Sequence, residues 1–525
     1  MKKIFLFLLP LLFAIAFISC QKEASQTQTQ EQPPAGPTLT GQSTIPDGPL
    51  TVEDIDTTPW NGSASSNEEI ADEAPADGII ISKLQLISIG PGADCSTEMT
   101  ANWHSPLPVN YIEFTTADDT SFAKAAKVWV KGELTKGNFT DKDAKDDSKQ
   151  KEYGWNNGSG KLDNTKFYFC KADLKQLKPN TDYIYRVGTK GSSPEVSDTF
   201  KFKTAGIKGG QFSFFWASDL HTPSGSSSYI KRISELIGFA NANLKKAELP
   251  EIDYVLFSGD LVEAGAVYQD WLYWDAIPEI KDYMWATCTG NHDYYWYDGY
   301  KGSSGKARVS PRWQYECTAF PSTNQYTASD GNLASLPPSN YWYLYNRVLF
   351  IGIDSMSEES VDSEYNESIS NQKKWFKDVV AKNEGKYDYI IAFQHYPYFE
   401  GNQPVEWGPY DKWRSVFDTA GVDFALGSDS HEYARSFELY KNKKIASDKN
   451  GTVYVTSPMT EGSSLDGISN EYSKSGSGRC EFYGGGCKGG CYFVVNSNSI
   501  TMYLIGAKGR VFDQKTVGKK KRAWN

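Results

Sequence analysis

Four of the five histidines in this 525-residue chain fall just after short apolar runs. They are His221 in Ser218-Asp219-Leu220-His221, His292 in Gly290-Asn291-His292-Asp293, His395 in Gln394-His395-Tyr396-Pro397, and His431 in Ser430-His431-Glu432. Asp260, in Ser258-Gly259-Asp260, follows another such run. A single loop histidine is usually solvated or packed in a core. Four in the same kind of place point to one shared rim. Carboxylates, imidazoles and an amide oxygen brought together form a donor set suited to two adjacent first-row divalent cations.

The elements that must position these residues can be read from periodicity. Phe212–Ala217, Tyr254–Ser258, Trp285–Thr289, Arg347–Ile353, Tyr389–Phe393 and Asp423–Leu426 are apolar runs of strand length. Between them Ile230, Ile233, Ile237, Ala240 and Leu244 recur at three and four, predicting a helix; Asp270–Tyr283 and Asn371–Ala381 read as helical too. Strand–helix–strand order predicts an α/β domain over residues 209–515 with a largely parallel sheet. Such sheets present ligands at the carboxyl ends of their strands, where the histidines and Asp260 lie. Residues 294–340, dense in Tyr, Ser, Gly and Trp, read as a long insertion covering or lining a binding surface. Ahead of this domain, residues 79–205 show short strands separated by Gly, Pro, Asn and Asp clusters, the pattern of an all-β sandwich.

The N-terminus reads as an address. Lys2-Lys3, an apolar run from Ile4 to Ile18 and then Ser19-Cys20 describe a secretory signal over residues 1–20. The run is short for a membrane span, which needs about 20 residues, so an uncleaved anchor is the alternative. Residues 21–78 carry eleven acids against Lys22 alone and almost no apolar periodicity, predicting a disordered acidic linker. The chain's net charge of −11 therefore sits mostly in that linker. Before the terminal Lys519–Arg522 run no stretch has the basic excess that a stable nucleic-acid partner would require. A composition 39% hydrophobic and 23% charged excludes a wholly disordered, collagen-like or multi-span membrane chain. Without Cys20, seven cysteines remain, an odd number that allows up to three disulfides and one free thiol, with Cys288 the expected free one. Cys480, Cys487 and Cys491 lack a histidine and paired two-residue spacing, so a disulfide is expected there over a metal knuckle.

Several of these stretches resemble known families. Phe17-Ile18-Ser19-Cys20 resembles the lipobox of bacterial lipoproteins, implying a lipid on Cys20 and a cell-envelope location, periplasmic or outer-surface. Leu177-Lys178-Pro179-Asn180-Thr181-Asp182-Tyr183 resembles the corner of fibronectin type III domains and of the N-terminal domain of purple acid phosphatases. In the latter, a run like Ser197-Asp198-Thr199-Phe200-Lys201-Phe202-Lys203-Thr204 follows. The histidine motifs together resemble the calcineurin-like metallophosphoesterases, whose domain is a β-sandwich flanked by helices. The resemblance implies two divalent ions (Mn, Fe, Zn or Mg), with Asp219, His221 and His431 on the first and Asn291 and His395 on the second. It implies Asp260 bridging both, and His292, held by Asp293, as the acid facing the leaving group. Small phosphate esters would be hydrolysed by metal-bridged hydroxide.

The motifs depart from that family at two places. Glu263 stands where purple acid phosphatases have a Tyr ligand, and His221 is present where they lack it, so no coloured ferric–tyrosinate site is expected. In Leu426-Gly427-Ser428-Asp429-Ser430-His431, Asp429 replaces the first His of the last motif. A carboxylate can still ligate there, favouring harder cations over Zn²⁺. The alternative is a decayed site in a surface binding or adhesion protein. Monoesterase, diesterase and nucleotidase activity all stay open, since specificity would lie in the insertion and the loop Glu400–Tyr410.

Overall fold

A strand buried on both faces must lie between two other layers, and Phe212–Ala217 is buried at every position. In the computed structural model it pairs in parallel with Ile252–Phe257, which pairs in parallel with Met284–Thr287. The structure describes residues 58–524 apart from 63–65, 80, 136–165, 208–209, 223–228, 264, 266–267, 295–315, 322–339, 356–368, 400–407, 447–449, 459, 461–477 and 485–487. The signal segment with Cys20, the first part of the acidic linker, Cys487, and most of the insertion and of the loop Glu400–Tyr410 lie outside the described residues.

A second sheet carries Val348–Gly352, Tyr389–Phe393, Phe424–Gly427 and Val453–Thr456 in parallel, with Tyr341–Tyr345 antiparallel at one edge. The inner faces of the two sheets meet through aromatics: Phe214 stacks on Tyr254 and Phe493 and meets the edge of Phe350. Helix Tyr229–Lys246 covers the outer face of the first sheet with Ile233, Leu236, Ile237, Ala240 and Leu244. Helices Ile369–Lys382 and Gly408–Ala420 cover the second with Phe376, Val379, Trp413, Val416 and Phe417. The result is a β-sandwich flanked by helices. The sheets are parallel only at their centres, because Gly490–Val495, Ser499–Ile505 and Val511–Gly518 return antiparallel beside Phe212–Ala217. The helix read over Asp270–Tyr283 is broken into Tyr268–Asp275 and Glu279–Asp282. Pro278, which lacks an N–H, stands at the break.

The N-terminal region is the expected sandwich, but one of its sheets does not end at the boundary near residue 205. Gln85–Pro91 pairs with Met284–Thr287 at Ile89 and Met284, so Met99–Ser105 and Tyr168–Leu174 extend the first sheet to ten strands among the described residues. The other sheet, Ala126–Lys131, Val109–Thr116, Asp182–Thr189 and Phe200–Lys203, closes the sandwich. Part of the insertion is seated against this region. The Glu316 carbonyl faces His104 Nε2 at 2.7 Å, its carboxylate accepts from Thr135, and Lys171 Nζ donates to the Thr318 carbonyl at 3.1 Å.

Three expectations are corrected here. The linker does not run to residue 78: Trp60 is buried against Phe114 and Tyr183 and donates to the Lys124 carbonyl, while Asn67 exchanges two hydrogen bonds with the Trp129 backbone. Glu69 and Glu73 pair with Lys190 and Lys131. One tryptophan anchors a segment whose composition reads as solvated. Cys95, Cys170, Cys288, Cys317, Cys480 and Cys491 are all buried and no disulfide joins any two of them, so the expected bridges are absent among the described residues. The C-terminal boundary lies beyond 515, and the basic run is an internal clasp: Lys520 and Arg522 pair with buried Asp423, and Trp524 donates to the Tyr387 carbonyl.

Two outcomes follow from these contacts. Trp60→Ala removes a buried indole, a change worth about 3–5 kcal/mol in cores. It should raise protease cleavage within residues 58–78 by at least about tenfold while the rest of the chain stays resistant. Asp423→Ala strands two cations in the interior, so urea unfolding should show a loss of about 3–5 kcal/mol.

Candidate metal centre

The strand ends of both sheets open onto one rim. Asp219 and His221 follow Phe212–Ala217, Asp260 follows Ile252–Phe257, and Asn291 and His292 follow Met284–Thr287. His395 follows Tyr389–Phe393, and Asp429 and His431 follow Phe424–Gly427 in the other sheet. Asp219, His221, Asp260, Asp429 and His431 all adopt left-handed backbone, with φ of 53°, 47°, 49°, 68° and 59°. Non-glycine residues seldom take this conformation, and its clustering marks a rim held in place by its surroundings. Backbone pairing supplies the hold: Leu220 N–H donates to the Asp260 carbonyl at 2.9 Å and Glu263 N–H to the Thr222 carbonyl at 2.9 Å. Gly290 is required because a Cβ there would stand 2.1 Å from Asp260 Oδ1.

The donors converge as overlapping groups, Asp219 with His221 and His431, Asp219 with Asp260 and His395, and His221 with Glu263 and His292. His221 Nε2 and His431 Nε2 are 3.2 Å apart, and His431 Nε2 is 3.5 Å from Asp219 Oδ1. His395 Nε2 is 2.8 Å from Asn291 Oδ1, 3.3 Å from Asp260 Oδ2 and 3.4 Å from Asp429 Oδ1. Asp260 Oδ2 also lies 3.6 Å from His221 Nε2, which puts this oxygen between the groups. Every residue named from sequence as a ligand is therefore at the rim, Asp429 included.

These residues fit a pair of cations. Both oxygens of Asp219 are buried and have no hydrogen-bond partner among the described residues. No lysine or arginine among them pairs with Asp219, Asp260 or Asp429. Two nitrogens 3.2 Å apart suit donors each about 2.1 Å from one ion, whose polyhedron edges run about 3.0–3.4 Å. The far edges of the rings are fixed as metal-bound imidazoles require. His395 Nδ1 donates to the Ser258 carbonyl at 2.7 Å, and His221 Nδ1 meets Glu263 Oε2 at 2.9 Å.

The electrostatics show the same demand for positive charge. Burial pushes the Asp219 carboxyl up, as expected for a desolvated acid. Burial alone would lower His221, but the Glu263 hydrogen bond and the charges of Asp260 and Asp219 lift it to about 9. His395 is likewise raised well above the imidazole range against burial, by Asp260, Asp429 and Asp219. Where cations bind, these protons must leave.

Asp293 is placed differently from the expectation that it holds His292. Its carboxylate accepts from the backbone N–H of Gly290 at 2.8 Å, Asp260 at 3.0 Å and Leu261 at 2.9 Å. It clamps two ligand loops together, and burial with the nearby Asp260 charge raises it to about 7. The His292 ring is held instead through Nδ1 on the Glu263 carbonyl at 2.8 Å, and it lies edge-on to His221. Glu263 thus serves both histidines, a role that sequence reading does not assign it. Its spacing of three residues after Asp260 is the signal that could have drawn attention to it. Ser428, whose Oγ donates to the Ser258 carbonyl at 2.8 Å, is another residue that sequence reading passes over.

Comparisons with known proteins agree with this architecture. The calcineurin-like phosphoesterase family matches residues 212–433, and the purple acid phosphatase N-terminal domain matches residues 85–204. Purple acid phosphatase 21 of Arabidopsis thaliana is 25% identical over 341 residues, covering 62% of this chain and 63% of that protein. A Mycobacterium tuberculosis protein, uncharacterised, is 23% identical over 53% of this chain and 52% of its own length. The chain thus spans about half to three-fifths of these relatives. Among solved structures, purple acid phosphatase PPD1 from yellow lupin (Lupinus luteus) shares the fold with a TM-score of 0.57 at 15% identity, over 83% of this chain and 74% of that one. Residues 85–204 and 212–433 therefore make this chain a purple acid phosphatase N-terminal domain joined to a calcineurin-like phosphoesterase domain.

Proposed function

We propose that this chain is an exported, lipid-anchored phosphoesterase that uses two divalent ions to hydrolyse small phosphate esters. The observation that carries the reading is the Asp219 carboxylate, buried with both oxygens unbonded and faced by the converging donors of both sheets. When bound, two divalent ions supply Lewis acidity toward phosphoryl oxygens and lower the pKa of water to near neutrality. Asp219, His221, His431 and Asp260 would hold one, and Asp260, Asn291, His395 and Asp429 the other. Asp429 at 3.4 Å from His395 Nε2 weighs against a decayed second position in an adhesion protein.

The protein's own contribution is orientation and proton handling. Asp260 is fixed by its Oδ1, which accepts the His292 backbone N–H at 2.8 Å, leaving Oδ2 for the shared position. His292, anchored through Nδ1 to the Glu263 carbonyl, would face a departing oxygen from the rim. That arrangement suits a general acid, which must be positioned yet not consumed as a ligand.

Support for export and anchoring lies in the sequence: the charged start, the short apolar run and Phe17-Ile18-Ser19-Cys20. The chain would sit at the cell envelope, on the periplasmic side or outer surface, held by the lipid on Cys20.

A panel of phosphomonoesters and phosphodiesters with Mn²⁺, Zn²⁺, Mg²⁺ and Ca²⁺ added separately tests the activity, and no turnover with any ion would refute it. His292→Ala should retain the metals by elemental analysis and lose about 10²–10⁴-fold in rate on an alkyl phosphate. The loss should be smaller on a nitrophenyl ester, and an unchanged alkyl rate would remove His292 from the mechanism. Cys20→Ser should abolish lipid labelling and release the chain from membranes. A variant that stays membrane-bound would point to a retained apolar anchor.

A further inference from the structure

The rim lies at one pole of the second sheet, and the opposite pole carries a different kind of surface. His395 and Asp429 follow the ends of Tyr389–Phe393 and Phe424–Gly427, whereas Tyr387 and Gly421 stand just before their starts. A cavity of about 680 Å³ opens at those starts, with Tyr387, Gly421, Tyr440, Ile445, Lys521 and Trp524 among its walls. Around it stand five exposed lysines, Lys386, Lys441, Lys443, Lys444 and Lys521. Against them the described residues of the cavity set an exposed Glu384 and a half-buried Asp418. Asp388 is already held by Arg347 and Lys519, and Asp423 by Lys520 and Arg522. The same pole of the first sheet is balanced, Lys245 and Lys246 standing with Glu248 and Glu251. In a chain of net charge −11 the basic excess is therefore local.

The centre of this surface is amphipathic. Tyr440, Ile445 and Trp524 are half-buried. The Trp524 indole stands edge-on to Tyr387 at 5.1 Å and donates its N–H to the Tyr387 carbonyl at 2.8 Å. Lys444 Nζ lies 3.4 Å over the Phe437 ring and Lys441 Nζ 5.3 Å over Tyr440, so ammonium groups and apolar rings share one face. Aromatic rings with a polar end, ringed by lysines, suit the boundary between lipid headgroups and water. Lysine is a compact point charge on a flexible stem, which matches a mobile array of phosphates better than one fixed bidentate partner.

We infer that this pole is a docking surface for anionic phospholipid, so that the chain lies against its membrane with the metal rim turned toward the water. The inference goes beyond anchoring: a lipid on Cys20 would keep the chain near a bilayer, and this face sets how it lies there. The 37 residues 21–57 span at most about 120–130 Å when extended. A compact body of this size is roughly 60 Å across, so that length lets either pole reach the bilayer. With the lysine pole on the lipid, the rim stays open to soluble esters.

The test adds the full chain to vesicles of phosphatidylcholine alone or mixed with phosphatidylglycerol, and maps lysine labelling by an amine-reactive reagent with mass spectrometry. On the phosphatidylglycerol vesicles, labelling of Lys441, Lys443, Lys444 and Lys521 should fall at least about fivefold, while Lys245 and Lys246 label as before. At about 0.5 M salt, where screening acts within about 4 Å, that protection should vanish. Combining Lys441→Glu, Lys443→Glu and Lys444→Glu should abolish protection at Lys386 and Lys521. Circular dichroism and turnover of a soluble phosphate ester should match the parent, and the lipid and salt arms need the parent alone. Equal labelling on both kinds of vesicle would overturn the inference. Protection that persists without vesicles would also overturn it, by placing residues 21–57 or a second copy on this face. Flotation with vesicles at high salt reports the lipid on Cys20 separately. A chain that floats there but shows no protection at low salt keeps its anchor and loses this docking surface. A chain protected at low salt that no longer floats at high salt keeps the surface and loses the anchor.

Discussion

A carboxylate withdrawn from water without a hydrogen-bond donor stays an anion only where positive charge faces it, and Asp219 is buried that way among imidazoles. Much of the rim can be understood from this constraint. Its neighbours are imidazoles and not lysines or arginines, so the compensating charge must be one that imidazoles can share. The five left-handed residues aim their side chains inward at the cost of backbone strain, and the loop pairing absorbs that strain. Asp293 contributes without touching a ligand ring, by collecting the N–H groups of Gly290, Asp260 and Leu261 on one buried carboxylate. Removing that clamp would free two ligand loops at once.

The N-terminal sandwich has a larger part in this than a spacer would. Its strand Gln85–Pro91 joins the strand Met284–Thr287, which leads directly into Asn291 and His292. Sheet continuity lets the sandwich brace that strand from the side opposite Ile252–Phe257. The same region receives Glu316 and Thr318 from the insertion, on His104, Thr135 and Lys171. His104 is fully buried and stacked at 3.9 Å on Phe167, and desolvation lowers it to about 3, which makes it a neutral structural imidazole. The histidine outside the rim thus has a packing role, while His221 and His395, against their burial, are kept above the imidazole range by neighbouring carboxylates.

How much was legible in the sequence depends on whether the signal was local. Asp219, His221, Asp260, His395 and His431 could be placed at one rim because each follows a strand-like run, and topology does the rest. Glu263 and Asp293 could not be assigned correctly, because their partners lie across the loops and no periodicity reports such contacts. Asp293 next to His292 suggests a pair, yet the turn at Asn291–Tyr294 sends the two side chains to different partners. Trp60 was missed for a related reason: in a segment of acids and small polar residues, one indole is enough to dock the chain, but composition averages it away. The antiparallel returns after Gly490 were missed because alternation of strand and helix stops there, leaving no pattern that distinguishes direction. Cysteines in an exported chain suggest bridges on statistical grounds, whereas no two of the six described cysteines are joined.

Because the ligands come from two sheets, their spacing is a property of the core between those sheets. Asp219, His221, Asp260 and Asn291 belong to one sheet, and His395, Asp429 and His431 to the other. A shift of one sheet against the other would alter the separation of His221 from His431 and of Asn291 from His395 together. Two features oppose such a shift. The aromatic layer of Phe214, Tyr254, Tyr343, Phe350 and Phe493 packs in offset and edge-on contacts that lose energy when displaced. At the rim itself, the Ser258 carbonyl of the first sheet accepts both His395 Nδ1 and Ser428 Oγ of the second. The core sets the distance coarsely, and this one carbonyl fixes it where the donors meet.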